Sequence, residues 1–471
     1  MASTDIPRLI IAGTGGDCGK TLVSLSLCSF FRGEGLAVAA FKKGPDYIDA
    51  AWMGWAAENP ARNLDTYMIP PQVVRQSFSG NAAGSGISII EGNRGLYDGM
   101  DLQGTHSTAS LAKLLRCPVI LIINAAKTTR TAAVVVLGMQ KLDPEINLAG
   151  VIFNRVGGRR HRDMLQRSLE QICGLPAVGF IPRLKDTPDM LPGRHLGLVP
   201  PEEHPGTDSM RRRLAEIADR HLDTEAIREI SANAPAIQFE PPEKPPNIQP
   251  LVKICYFADT AFTFYYRENL EALENAGAEL VPVSSLEYKP LPKCQGLYIG
   301  GGFPETHIER ISGNRELNRS VKRAADSGIP VYAECGGLIY LCRSLEYRGE
   351  DYPLADVFPL RLKMEKRPQG HGYAEAEITG DNPFFRKGTV IRGHEFHYTG
   401  VTGGQEEVTA IYRLNRGTGC FDRRDGILHR NTLAAFTHIH ALGNPDWADN
   451  FVKAAANYKQ VDLLFPTDKP A

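Results

Sequence analysis

Paired cysteines are missing from this chain. Its nine cysteines are an odd number, scattered, with no C-x-x-C among them. That argues against a disulfide framework or a zinc site, and for reduced thiols. An excess of one charge is missing too: 53 Lys and Arg stand against 54 Asp and Glu, a formal net charge of −1. No global field would therefore recruit nucleic acid or an anionic membrane. No apolar run reaches the roughly 20 residues of a membrane span. The opening MASTDIPRLIIAG lacks the basic flank and long apolar core of a secretion signal. A cytoplasmic protein with neither a nucleic-acid nor a membrane partner is expected.

What is present is an ordinary globular composition, 42% hydrophobic and 23% charged, over 471 residues. That length is too great for one core. Residues 233–250, NAPAIQFEPPEKPPNIQP, hold six prolines and little apolar periodicity, and read as a linker. On either side, β-rich runs alternate with helical patterns. RLIIAG, LAVAAFK, ISIIEG, VILIIN, AGVIFN and AVGFIP come before, and LVKICYF, AELVPV, GLYIGG and PVYAEC after. Runs apolar on both faces, spaced by helix-length segments, indicate parallel sheets covered by helices. The expected fold is α/β, with two domains, 1–232 and 251–471, each a mostly parallel sheet flanked by helices.

The stretch IIAGTGGDCGKTLVSLSL, residues 10–27, runs a strand into a glycine-rich turn and a helix. Backbone N–H groups of Gly13, Thr14, Gly15, Gly16 and Gly19, with the helix start, would surround the phosphates of ATP. Lys20 would neutralise the β- and γ-phosphates, and the Thr21 hydroxyl would ligate Mg²⁺. Five residues, not the usual four, separate Gly13 from Gly19. Strand, glycines, Lys-Thr and amphipathic helix coincide, which favours a phosphate loop over a chance turn. Cys18 within it reads as a small filler.

Two further segments suit a nucleotide enzyme. AFKKGPDYIDAAW, residues 40–52, follows a strand and offers Lys42, Lys43, Asp46 and Asp49. ISIIEGNRGLYDG, residues 87–99, sets Glu91 at the end of a buried run, where a carboxylate organising Mg²⁺ belongs, with Asp98 seven residues on.

PVYAECGGLIYL, residues 330–341, carries Cys335 to the end of an apolar strand and follows it with two glycines. A nucleophile on a tight strand-to-helix turn is exposed at the sheet edge, and glycines beside it let the backbone bend and a substrate approach. A Cys335 thiolate could attack an amide carbonyl, with the Gly336 N–H on the side where the oxyanion forms. Gly301 and Gly302, in YIGGGFPE, offer a second donor. AAFTHIH, residues 434–440, supplies His438 and His440 as candidate bases. Cys255 and Cys342 read as buried structural thiols.

YAECGG with upstream GGGFPE resembles the class I glutamine amidotransferase domain, in the subgroup without the usual acid near its histidine. The N-terminal half resembles the dethiobiotin synthetase-like ATPases, a P-loop NTPase-like fold with the same longer glycine spacing. In this order, with KGPDYID, GLYDG and RGHEFHY, the chain is similar to the cobyrinic acid a,c-diamide synthase family. The resemblance implies a flavodoxin-like second domain and an ATP- and glutamine-dependent amidation of the a and c acetates of a tetrapyrrole. It implies L-glutamine hydrolysis by Cys335 with His438, and an acyl phosphate made with ATP held by Lys20, Thr21, Glu91 and Mg²⁺. Lys42 would stabilise the transferring phosphoryl group. Asp46 is expected at the metal, and Asp49 and Asp98 on the substrate side. Glu395 is expected to steady His438.

His394, Glu395 and His397 in IRGHEFHYTG are not an H-E-x-x-H motif, and on a strand 394 would face opposite to 395 and 397. Asn93, Arg94, Lys43 and Asn124 depart from the family's usual residues. Lys43 and Arg94 are either surface charges or partners for acceptor carboxylates. Sirohydrochlorin and its nickel form therefore stay open beside cobyrinic acid as acceptors, and so does a homodimeric assembly. A nucleotide switch is the contrasting reading. It would need a basic face or membrane helix, and it leaves Cys335 without a role.

Overall fold

The structure, a computed structural model, describes residues 2–184, 193–194, 197–204, 207–239 and 249–458. The chain divides into two compact units, 1–243 and 244–471. Among the described residues no helix is long and apolar enough to cross a membrane.

The front unit is built on seven parallel strands in the order Arg62–Leu64, Val38–Lys43, Ile87–Glu91, Arg8–Gly13, Val119–Asn124, Leu148–Val156, Ala177–Pro182. Strands Arg8–Gly13, Val38–Lys43 and Ile87–Glu91 are buried along their whole length, as runs apolar on both faces require. Register then decides which side chains meet. Ile11 and Lys42 both stand opposite Glu91. The C-terminal ends of three adjacent strands thus deliver the glycine loop, Lys42 and Glu91 to one edge of the sheet, where ligands of open α/β sheets bind.

The expected linker begins as part of this unit. Ile237–Phe239 pairs antiparallel with Ala2–Thr4. The buried Arg8 guanidinium donates to the carbonyls of Leu115, Ile6, Arg116 and Pro235. A buried donor with four carbonyl partners fixes the proline-rich segment's first residues, which low apolar periodicity did not reveal. Residues 240–248 of that segment lie outside the described residues.

The rear unit extends its parallel core. Strands Ala278–Val283, Val252–Phe257, Gly296–Ile299, Val331–Glu334 and Thr432–Ala435 are parallel, and five antiparallel pairings continue the same ten-stranded sheet. A further four-stranded sheet includes Phe358–Met364 and Thr399–Gly403. The α/β architecture is as expected. The antiparallel half was hidden because strands such as Gly370–Ile378, GHGYAEAEI, are buried on only one face and so alternate.

Candidate active sites

In the front unit, Gly19 adopts φ 105° at the entry to helix Lys20–Gly33. A side chain there would be strained, and its Cβ would fall 2.3 Å from Asn154 Nδ2. Asn154, on strand Leu148–Val156 two places along the sheet, donates to the Cys18 carbonyl at 2.9 Å and so braces the loop. Cys18 is buried, and its sulfur fills the space a Gly13 side chain would need. Gly15 and Gly16 face open space. Lys20 Nζ folds back to the Gly15 carbonyl at 2.8 Å. Thr14 N–H donates to Ile122 O at 3.3 Å.

Glu91 links this loop to the next. Its Oε1 accepts from Thr21 Oγ1 at 2.7 Å and from Lys42 Nζ at 3.0 Å. Lys42 also donates to Asp49 Oδ2 at 2.5 Å. Burial works against the Lys42 charge, but Asp49, Glu91 and Asp46 outweigh it and raise its pKa. Burial pushes Glu91 up, against the pull of Lys42. Asp46 caps helix Tyr47–Ala57 by accepting from Asp49 N–H at 2.9 Å. Its carboxyl is pushed up to about 7 by burial and by Asp49. Asp98 stands apart. It is exposed and accepts from Gly95 N–H at 2.8 Å, closing its own turn.

The second Glu91 oxygen, Oε2, is buried without a hydrogen-bond partner. An orphaned carboxylate oxygen beside a threonine hydroxyl fits a hard cation. Among the described residues no group of three or more His, Cys, Asp or Glu could hold a metal by itself. That is the donor set of Mg²⁺ bound mainly through nucleotide phosphates and water. Of the unusual residues, Lys43 is buried, its pKa lowered by burial against the pull of Asp65, whereas Arg94 is exposed. Lys43 is thus not a surface charge.

In the rear unit, Cys335 joins strand Val331–Glu334 to helix Gly336–Leu341 with φ 46° and ψ −97°, a strained backbone for a residue with a side chain. Its N–H donates to Ala435 O at 2.7 Å. Two close approaches account for the glycines. A Cβ on Gly337 would lie 2.4 Å from Ile299 O, and one on Gly336 3.1 Å from Gly302 N. The Gly301–Gly302 turn therefore packs directly on the residues after Cys335. Burial, then Glu305, raises the Cys335 thiol above its ordinary value. A thiol held up in this way needs a base, as the sequence leads one to expect.

Parallel pairing of Glu334 with Ala435 brings His438 to the same sheet end. A Cβ on Gly301 would lie 2.6 Å from His438 Cε1 and 3.4 Å from its Nε2. The ring stacks on His394 at 4.8 Å between centroids, and Tyr266 Oη lies 2.9 Å from His394 Nε2. Burial and the neighbouring histidines push His394 well below the ordinary range. His440 points elsewhere, 3.6 Å from Glu268 and packed on Tyr266.

The carboxylate beside His438 is not Glu395. Glu395 accepts from the amides of Thr418 and Gly419 and lies 3.8 Å from His397, whose ring stacks on Phe436. Alternation along strand Val390–His397 separates it from His394. Glu334 Oε2 lies 3.5 Å from His438 Nδ1 instead. Asp425 anchors the approach to His438 by accepting from Phe436 N–H, Thr437 N–H and Thr437 Oγ1. Sequence reasoning passed over Glu334 and Asp425. Glu334 had a signal, a lone acid in an apolar buried strand beside the cysteine. Asp425 had none.

Comparison with known proteins bears on both units. Residues 9–194 match the CobQ/CobB/MinD/ParA nucleotide binding domain, and residues 253–446 the CobB/CobQ-like glutamine amidotransferase domain. These two domains in one chain define a glutamine-dependent amide ligase that uses ATP. Full-length relatives narrow this further. A Magnetococcus marinus protein named cobyrinate a,c-diamide synthase is 40% identical over 451 residues, 94% of this chain and 96% of that one. Proteins of the same name from Archaeoglobus fulgidus (40% over 459 residues, 97% and 99%) and Salmonella typhimurium (35% over 449 residues, 95% and 97%) align as fully. The chain belongs to the cobyrinate a,c-diamide synthase family.

Proposed function

We propose that this protein converts the a and c acetate carboxylates of a tetrapyrrole, cobyrinic acid, into amides, with glutamine as nitrogen donor and ATP as activator. A carboxylate is a poor electrophile and its oxide a poor leaving group. The acetate oxygen therefore attacks the γ-phosphorus, ADP departs, and an acyl phosphate forms. Ammonia then attacks the acyl carbon and inorganic phosphate leaves, with loss of a proton. Lys20 and the glycine loop hold the phosphates, and Lys42 offsets charge on the transferring group. Thr21 and Glu91, with Asp46 nearby, would hold Mg²⁺, which supplies charge neutralisation at the β- and γ-oxygens. Asp49 and Asp98 are assigned to the acceptor side.

In the rear unit the Cys335 proton passes to His438 Nε2 as sulfur attacks the glutamine amide carbon. Amides of Gly302 and Gly336 face the developing oxyanion. The C–N bond breaks, and ammonia leaves with the proton from His438. Water then hydrolyses the thioester to glutamate and regenerates the thiol.

The reading is supported above all by the Thr21–Glu91–Lys42 cluster at a phosphate loop, and by the Gly301–Gly302 turn, against which both His438 and the residue after Cys335 pack. Its test is isotopic. Oxygen-18 in the acceptor carboxylates should appear in released phosphate, and its consistent absence would remove the acyl phosphate. A panel of cobyrinic acid, sirohydrochlorin and nickel-sirohydrochlorin, read by product mass, tests the acceptor.

A further inference from the structure

We propose that Glu334 completes the glutaminase machinery as a positioning residue. It orients the His438 imidazole through Nδ1 and balances its charge when Nε2 takes the Cys335 proton. This rests on the assignment of Cys335 and His438 made above.

The geometry gives the imidazole two distinct edges. Glu334 Oε2 lies 3.5 Å from Nδ1, and both side chains are at most 2% exposed. The Cε1–Nε2 edge faces Gly301, whose turn packs against Gly336, next to Cys335. A proton on Nδ1, facing Glu334, leaves Nε2 as the acceptor.

The surroundings of Glu334 suit an anion. Ile439 N–H donates to Oε1 at 3.0 Å, Tyr332 Oη to Oε1 at 3.3 Å, and Tyr298 Oη to Oε2 at 3.3 Å. Asn269 fixes Tyr298 in turn, donating to its oxygen at 3.3 Å. Burial and the Glu334 charge hold Tyr298 and Tyr332 well above the ordinary phenol range, so both remain donors. A carboxylate in an otherwise apolar strand is a costly way to fill a core, because desolvation opposes it unless partners offset it. The expense is understandable if the charge serves His438.

Other charged groups near this centre do not substitute. His394 stacks on His438 and is held neutral by burial, with Tyr266, His371 and His440 around it. Besides burial, Glu305, Glu334 and Asp425 all raise the Cys335 thiol, and Asp425 is engaged by the 436–437 backbone. Glu395 is held by Thr418 and Gly419.

The experiment compares full-length wild type, Glu334→Gln, Glu334→Asp and Cys335→Ser for glutamine- and ammonia-driven product across pH. Glu334→Gln should lower glutamine-driven kcat about 10²-fold or more, with KM for glutamine little changed. Loss of the counter-charge should move the acidic limb of its profile about one unit lower. Ammonia-driven product should match wild type. Glu334→Asp keeps the charge at shorter reach, so kcat falls while the acidic limb stays. Folded Glu334→Gln with wild-type kcat and an unmoved limb overturns the proposal. Should that variant not fold, wild-type kcat in Glu334→Asp does the same. If Cys335→Ser still uses glutamine, the glutaminase assignment itself fails, a result distinct from failure of the Glu334 role.

Discussion

The Thr21 hydroxyl donates to Glu91 Oε1 at 2.7 Å, although 70 positions separate the two residues. The bond leaves the second Glu91 oxygen, Oε2, open beside the hydroxyl. Glu91→Gln is expected to cut ATP-dependent product about 10²-fold or more, with either nitrogen source, because charge stabilisation at the phosphates is lost. Glutamine hydrolysis should persist. Steady-state product and glutamate assays check this, and a variant that makes product at the wild-type rate would remove Glu91 from the metal site.

Cys335→Ser should abolish glutamine-driven amidation and spare the ammonia-driven reaction, since the proposed function assigns the two chemistries to different units. Both rates are measured on the same folded preparation. Loss of both would contradict the division of labour.

Burial raises the Cys335 thiol, so its folded state holds the proton more tightly than a free cysteine does. The sign is therefore fixed: thiolate appears only at higher pH. Without glutamine, alkylation of Cys335 by iodoacetamide should keep rising beyond about pH 9, where an ordinary thiol begins to level off. A plateau near neutral pH would mean a preformed thiolate.

Gly301→Ala introduces a methyl group 2.6 Å from His438 Cε1. The ring must move, and a displacement of about 1 Å can cost about 10²-fold in rate. Glutamine-driven product should fall by that order while ammonia-driven product is unchanged. Wild-type glutaminase in this variant would place the working base elsewhere.

Much of this was legible in the sequence because the relevant signals are local. A strand, a glycine turn and Lys-Thr adjoin in residues 10–21, and a strand, Cys335 and two glycines adjoin in 330–337. Pairing between distant strands was not legible. Glu334 meets His438 only because strand Val331–Glu334 lies beside Thr432–Ala435. Glu395 was expected to do that task, yet alternation along its strand turns it away from His394 and His438. Lys43 read as either a surface charge or a partner for acceptor carboxylates, because burial of a lysine beside Asp65 depends on tertiary packing. The antiparallel half of the rear sheet, exposed on one face, carried too weak a pattern to stand out.

The backbone at position 335 has a consequence for how this protein tolerates change. With φ 46° and ψ −97°, the site suits a residue lacking any Cβ better than it suits the one present. Replacement by glycine should relax the turn and make the folded chain sturdier while silencing the glutaminase. On the proposed assignment, keeping the sulfur exchanges durability for reactivity, written into one pair of torsion angles.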